Sequence, residues 1–378
     1  MNIKKSGEIA VFGTGLDSVK CTYYLKENGI QVAYYLNNKC NIEKFSGMCV
    51  YEPTEENIKN VYILVDASEA SYPAISNQLQ GMGLNEFDDY IYYEWAYKKV
   101  VLLHGNCHMS VIKEYLNSSN QFSKEYSCYP NPPICDNPKR KIADSALATC
   151  DLWIHEDIRA NNPFGYELSD EYIRSKLRQG TREIIVPHLF GLGKAFFPQA
   201  DYNSKNLSIA NGNDKNGMFP YGDMVIDECV KEGKHKNEII SYLKSEEVLV
   251  RDDVLSNFFL YMNKVKEREG GWDIKIYDFI MENYKSKKLF YDHEHPTNII
   301  MKKISMDILE CLEIKDENIS ALFKMDIHEI PVYPIVKKWL GLEWTDENIR
   351  KSKMSKKATE IMNFEEYICE YLWWCHGI

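Results

Sequence analysis

Val100-Val101-Leu102-Leu103-His104-Gly105-Asn106-Cys107-His108-Met109 passes from an unbroken apolar run through a glycine turn into Met109, Ile112 and Leu116, which recur at helical spacing. A short apolar run closed by glycine and followed by an amphipathic helix predicts a buried strand of a parallel sheet with its crossover helix. The turn falls at the carboxyl end of that strand, where α/β folds place their ligands. Cys107 stands at the start of the helix, where aligned peptide dipoles favour a thiolate and lower a thiol's pKa. Its backbone N–H group and those of its neighbours can face a developing oxyanion. His104 and His108 flank it.

Upstream, Ile9-Ala10-Val11-Phe12 reads as a strand and Gly13-Thr14-Gly15 as a tight turn. Leu16, Val19 and Tyr23 then repeat as a helix, and Gln31–Leu36 and Val61–Val65 read as further strands. A helix carrying Ile75 and Leu79 closes at Gly81-Met82-Gly83. Downstream, Asp151–Ile154 and Glu183–Pro187 read as strands, 200–235 as a polar loop or insertion, and 236–286 as helices. Ile300, Ile304, Ile308 and Leu312 mark one face of a helix. The residues after 315 read as helical, with Trp339, Trp344, Trp373 and Trp374 in their packing. The pattern predicts an α/β protein: a Rossmann-like parallel-sheet domain over 1–97, a second α/β domain over 98–315, and a helical C-terminal extension over 316–378.

Gly13 and Gly15 are candidates for cradling a nucleotide phosphate. The dinucleotide fingerprint also needs a third glycine, where this chain has Ser18, and an acidic residue after the second strand, where it has Asn37-Asn38. A glycine turn with no ligand, or another nucleotide or nucleotide-sugar, are the competing readings.

The 378 residues contain 45 Lys+Arg and 56 Asp+Glu, a net charge of -11, which argues against a nucleic-acid partner because polyanions select basic surfaces. No stretch approaches the ~20 apolar residues of a membrane helix. The N-terminus runs straight into a strand with no leader pattern, so a cytoplasmic protein is expected. Eleven cysteines, an odd number without CxxC spacing, fit a reducing compartment. Arg350, Lys351, Lys353, Lys356 and Lys357 form a basic cluster, read as a solvated face or as a contact with a phosphate-bearing acceptor or a membrane surface.

A nucleophilic cysteine needs a base, and Asp292-His293-Glu294-His295 supplies one. An Asp can reach the ring of a His three residues later and fix its tautomer, leaving the other nitrogen for proton transfer. A purely structural Asp–His turn, His293 as the base, and a packed, inert Cys107 are the alternatives. His155 is a candidate substrate contact or a packed ring, and Arg159 a candidate contact for an acyl-donor phosphate. His104, His108, His155, His293 and His295 cluster in three short segments, but with no metal-site spacing no metal is expected.

Gly105-Asn106-Cys107 and Asp292-x-x-His295 resemble the first and last blocks of SGNH/GDSL hydrolases, with Cys in place of Ser. The middle Gly-x-Asn-Asp turn of that fold has no counterpart, and His155–Asn162 is the nearest segment. From Val100 to near Leu312, the chain more closely resembles the WcbI family of polysaccharide-biosynthesis proteins. His104–His108, Ile184–Pro187 and Leu289-Phe290-Tyr291-x-x-x-His295-Pro296-Thr297 carry the resemblance. It implies an SGNH-like three-layer domain and an acyltransferase, acetyl by preference, with coenzyme A or acetyl-CoA as donor and a capsule or exopolysaccharide sugar as acceptor. Carried over, Cys107 is the nucleophile, His295 the base and Asp292 its orienter. Gly105, Asn106, His108, His155 and Arg159 then line the oxyanion and substrate site. The competing functions are a cysteine esterase or thioesterase using the same residues, and a non-catalytic nucleotide- or glycan-binding protein.

Overall fold

The computed structural model describes residues 8–39, 41–68, 71–135, 141–200, 219, 221–321, 329–344, 349–351 and 360–378. The chain divides into two compact units, Met1–Lys113 with Asn117–Ile184, and Glu114–Leu116 with Ile185–Ile378.

The first unit is the α/β part of the molecule. Its larger sheet is built from β1 (Glu8–Phe12), β2 (Val32–Leu36), β3 (Lys44–Phe45), β4 (Met48–Tyr51), β5 (Val61–Val65) and β6 (Tyr90–Tyr92), in the order β3-β4-β2-β1-β5-β6. All its pairings are parallel except the β3–β4 hairpin. Every residue of β5 is buried, as expected of a central strand covered on both faces. The second sheet contains β7 (Lys99–His104), β8 (Tyr126–Cys128), β9 (Leu152–Glu156) and β10 (Arg182–Val186), in the order β10-β9-β7-β8. Strand β7 pairs in parallel with both β8 and β9, so it is central, and five of its six residues are buried.

One apolar core serves both sheets: Val11, Ile63 and Leu64 belong to it together with Trp95, Val100, Leu102 and Trp153. Phe87 stacks on Trp95 at 5.2 Å and Trp95 on Tyr129 at 5.3 Å, which joins the end of the first sheet to the start of the second.

The second unit is mainly helical. Among the described residues its α-helices are Met224–Lys231, Lys236–Lys244, Arg251–Arg268, Tyr277–Asn283, Asn298–Cys311, Pro334–Leu340 and Phe364–Tyr371. Phe196 packs against Phe258 and Phe290 at 5.6 and 5.7 Å, tying the long Arg251–Arg268 helix to the segment before Asp292.

Several expectations need correction. Within 200–235, read as loop, Met224–Lys231 is a helix, because Asp223 caps it by accepting the N–H groups of Val225 and Ile226. Residues 201–218 and 220 of that stretch lie outside the described residues. The C-terminal extension is not purely helical: β11 (Ile349–Lys351) and β12 (Glu360–Met362) form an antiparallel pair. Trp373 does not pack inside, being 61% exposed. Of the basic cluster, Lys353, Lys356 and Lys357 lie outside the described residues. No helix among the described residues is long and apolar enough to cross a membrane.

Candidate active site

The first group of candidate residues surrounds the turn after β7. Strands β7 and β9 align His104 with His155, so Glu156, the last residue of β9, comes beside Gly105. Glu156 is 1% exposed, and its Oε2 accepts the Asn106 N–H at 2.9 Å. Its Oε1 lies 3.5 Å from His108 Nδ1. Gly105 has φ +157°, and a Cβ there would come within 2.9 Å of both Glu156 Oε2 and Met109 Cγ, so a side chain at 105 would displace the group that holds the turn.

The helix His108–Asn117 begins directly beyond, with Met109 N–H donating to Asn106 O and Ser110 N–H to Cys107 O, both at 3.0 Å. Cys107 therefore sits half-buried at the positive end of a ten-residue helix. From the other side, Ile134 N–H donates to Gly105 O at 2.9 Å and Asn131 Nδ2 to Leu103 O at 2.7 Å.

The flanking histidines differ. Burial pushes His104 down to about 4, so the ring is neutral, and Nε2 donates to Leu168 O at 2.8 Å. His155 is fully buried and stacks on Trp153 at 3.5 Å. Its Nδ1 lies 2.9 Å from Glu156 O and 3.2 Å from Asp170 Oδ1, and its Nε2 is 2.9 Å from Glu183 Oε1. Burial acts to lower the His155 pKa, but the hydrogen bonds to Asp170 and Glu183 outweigh it and raise the value. Both ring nitrogens are thus engaged inside the first unit. Arg159 is exposed three residues past the end of β9.

In the larger sheet, Gly13 N–H donates to Leu36 O at 2.8 Å and Gly15 N–H to Ser18 Oγ at 3.2 Å. Ser18 is fully buried and its hydroxyl also binds Asp66. A Cβ on Gly13 would lie 2.2 Å from Asp66 O. This close approach of β1 and β5 accounts for the glycine by itself.

The second group lies in the other unit, on the stretch Leu289–Thr297. Phe290 bridges Pro296 in antiparallel fashion, Tyr291 N–H donates to His295 O at 2.9 Å, and Thr297 N–H to Leu289 O at 2.8 Å. Asp292 closes this tight turn: its Oδ1 accepts the N–H groups of Glu294 and His295 at 2.7 and 2.8 Å. Its Oδ2 lies 2.8 Å from His295 Nδ1. A carboxylate only accepts, so Nδ1 carries the proton and Nε2 is the basic nitrogen. Asp292 is fully buried, whereas the His295 side chain is 18% exposed. The turn that fixes the backbone therefore also fixes the ring.

His293 is fully buried, and burial lowers its pKa to about 4; its ring meets the edge of Tyr221 at 4.7 Å. Burial raises the Glu294 carboxyl to about 7. Among the described residues, no group of three or more His, Cys, Asp or Glu side chains is placed to hold a metal ion.

Two site residues escape sequence reasoning. Glu156 falls in the segment His155–Asn162, past the strand read at Asp151–Ile154; β9 in fact runs on to Glu156, and its hold on the Asn106 N–H appears once β9 is known to pair with β7. Tyr221, whose hydroxyl lies 3.0 Å from His295 Nδ1, is 74 residues away in the chain, with no local pattern to announce it.

The fold and the two groups define an α/β protein with a cysteine at a strand-to-helix turn and a histidine held by a buried carboxylate. The family model described as "Polysaccharide biosynthesis enzyme WcbI" matches residues 100–317, more than half of the chain, and the chain belongs to that family. Both groups fall inside the matched region. A solved structure of WcbI, described as a novel polysaccharide biosynthesis enzyme in its native form without a disulfide bond between coenzyme A and one of its cysteines, is similar in fold. Its TM-score is 0.57 at 18% identity, over 74% of this chain and 91% of that one. No curated protein matches the sequence.

Proposed function

We propose that this protein is an acyltransferase that moves an acyl group, acetyl in the simplest case, from a coenzyme A thioester to a hydroxyl of a capsule or exopolysaccharide sugar. The observation that carries the reading is the Asp292–His295 pair: a buried carboxylate holding Nδ1 at 2.8 Å on a turn locked by two further hydrogen bonds to the same side chain. A histidine so held is built to accept and return a proton at Nε2. Family membership and the coenzyme A named for the solved WcbI structure support the choice of donor.

Two routes use these residues. In one, Cys107 gives its thiol proton to His295 and its Sγ attacks the thioester carbonyl, the bond to the coenzyme A sulfur breaks, and His295 returns the proton to that sulfur so that coenzyme A leaves as the thiol. The sugar hydroxyl then gives its proton to His295 and attacks the acyl-cysteine, and the cysteine sulfur is released as the thiol. In the other, the hydroxyl attacks the thioester directly and His295 carries its proton to the departing sulfur. In both, the Asn106 side chain and the N–H groups of Cys107 and His108 at the helix start stabilise the oxyanion, the Asn106 N–H being taken by Glu156, and Arg159 meets a donor phosphate. A cytoplasmic enzyme, where thioesters and reduced thiols coexist, suits this chemistry.

Labelled acyl transfer from acetyl-CoA to sugar acceptors tests the reading. His295→Ala is expected to lose transfer by roughly 100-fold or more. Unchanged transfer by His295→Ala would sink both routes. Coenzyme A release at the same rate with and without acceptor would make the protein a thioesterase instead.

A further inference from the structure

Asp292 is not the only group on His295 Nδ1. Since the N–H points to the Asp292 carboxylate, the Tyr221 oxygen at 3.0 Å is its second acceptor, sharing it in a three-centre bond. Tyr221 is held in turn. Two residues on, Asp223 is 3% exposed; its Oδ1 and Oδ2 accept the Tyr333 O–H at 2.7 and 2.8 Å, and its N–H donates to the Tyr371 oxygen at 2.9 Å. The Tyr371 O–H donates to Asp227 at 2.8 Å, and His376 Nε2 meets the same Asp227 oxygen at 2.8 Å. Phe219, two residues before Tyr221, packs edge-on against Tyr367 and Tyr371 at 5.3 and 5.1 Å. Tyr367, Tyr371 and His376 belong to the C-terminal segment, beyond the family match that ends at 317.

We propose that Tyr221 is a positioning residue for His295, and that the C-terminal helix Phe364–Tyr371 acts as its clamp, holding Phe219 and Asp223 on either side of Tyr221. The importance of His295 rests on the function proposed above; the clamp itself does not. Without the Tyr221 hydroxyl the imidazole keeps Asp292 on Nδ1 but loses its second acceptor there. Asp292 and Tyr221 contact the ring, and its charge acts on the neighbouring His293 and Glu294. Lys194 acts electrostatically on the latter two, and Tyr367 is influenced by Asp292.

The test is a nitrogen NMR titration of histidine-labelled full-length protein, with the His295 signals assigned by their loss in His295→Ala. Acyl transfer is measured in parallel. Tyr221→Phe keeps the ring and its packing and removes only the hydroxyl. It is expected to shift the His295 Nδ1 resonance, lower the His295 titration midpoint and reduce kcat roughly tenfold, with KM and the melting temperature little changed. Tyr371→Phe is expected to move the same His295 signals in the same direction by less. His295 signals in Tyr221→Phe that match wild type would overturn the positioning role. A shift in Tyr221→Phe with none in a folded Tyr371→Phe would overturn the clamp. If His295→Ala transfers normally, the acyltransferase reading fails, and the NMR arm still decides the clamp.

Discussion

At the scale of single residues, the Cys107 turn depends on Gly105 leaving room for Glu156. Gly105→Ala would push a methyl group to within 2.9 Å of Glu156 Oε2 and Met109 Cγ. The expected cost is about 1–3 kcal/mol in urea unfolding, with a changed rate of Cys107 alkylation because Asn106 N–H loses its acceptor. Wild-type stability and alkylation would show that the turn does not rest on this contact. The two histidines of the Asp292 turn separate in the same way. His293 is sealed and held neutral, while His295 reaches the surface with its Nδ1 fixed. His293→Gln is expected to keep transfer within a few-fold of wild type in a folded protein, whereas His295→Gln loses roughly 100-fold. Equal losses would remove the distinction. Cys107 and the Asp292–His295 pair were legible because each depends on neighbours within three residues. Glu156 and Tyr221 were not, since their roles arise from strand pairing and from a contact across 74 residues.

At the scale of elements, the apolar runs at β1, β5, β7 and β9 were readable because buried strands leave little room for polar residues, and the partly buried β2 and β10 still carry short apolar runs. The β3–β4 hairpin and β6 were not, having two to four residues each and no periodicity to detect. The Met224–Lys231 helix was hidden by the polar stretch before it, although Asp223 is a strong cap. His155 shows how an element end acquires a pH dependence. Its pKa is raised in the folded chain, so its charge adds stability that is fully present below about 6.5, the unfolded value, and fades as pH rises through the higher folded value. Urea unfolding of wild type and His155→Gln between pH 5.5 and 9 should give a stability difference that shrinks as pH rises. A flat difference would mean that the ring's charge contributes nothing.

At the scale of the whole molecule, the first unit carries the cysteine and the second the Asp–His pair. The second unit also depends on its own C-terminus. Tyr367, Ile368, Tyr371 and Leu372 are all 3% exposed or less, and burying a large apolar side chain is worth roughly 1.5–3 kcal/mol. Removal of residues 364–378 is therefore expected to strip hydrogen-exchange protection from the helices Met224–Lys231 and Lys236–Lys244 while β1, β5 and β7 stay protected. Unaltered exchange in those helices would contradict the role given to the C-terminal helix. Whether this member of the WcbI family works on coenzyme A thioesters, as proposed, is decided by calorimetric titration of the purified full-length protein with acetyl-CoA. Saturable binding with a single defined stoichiometry is expected. The absence of binding at millimolar ligand would contradict it.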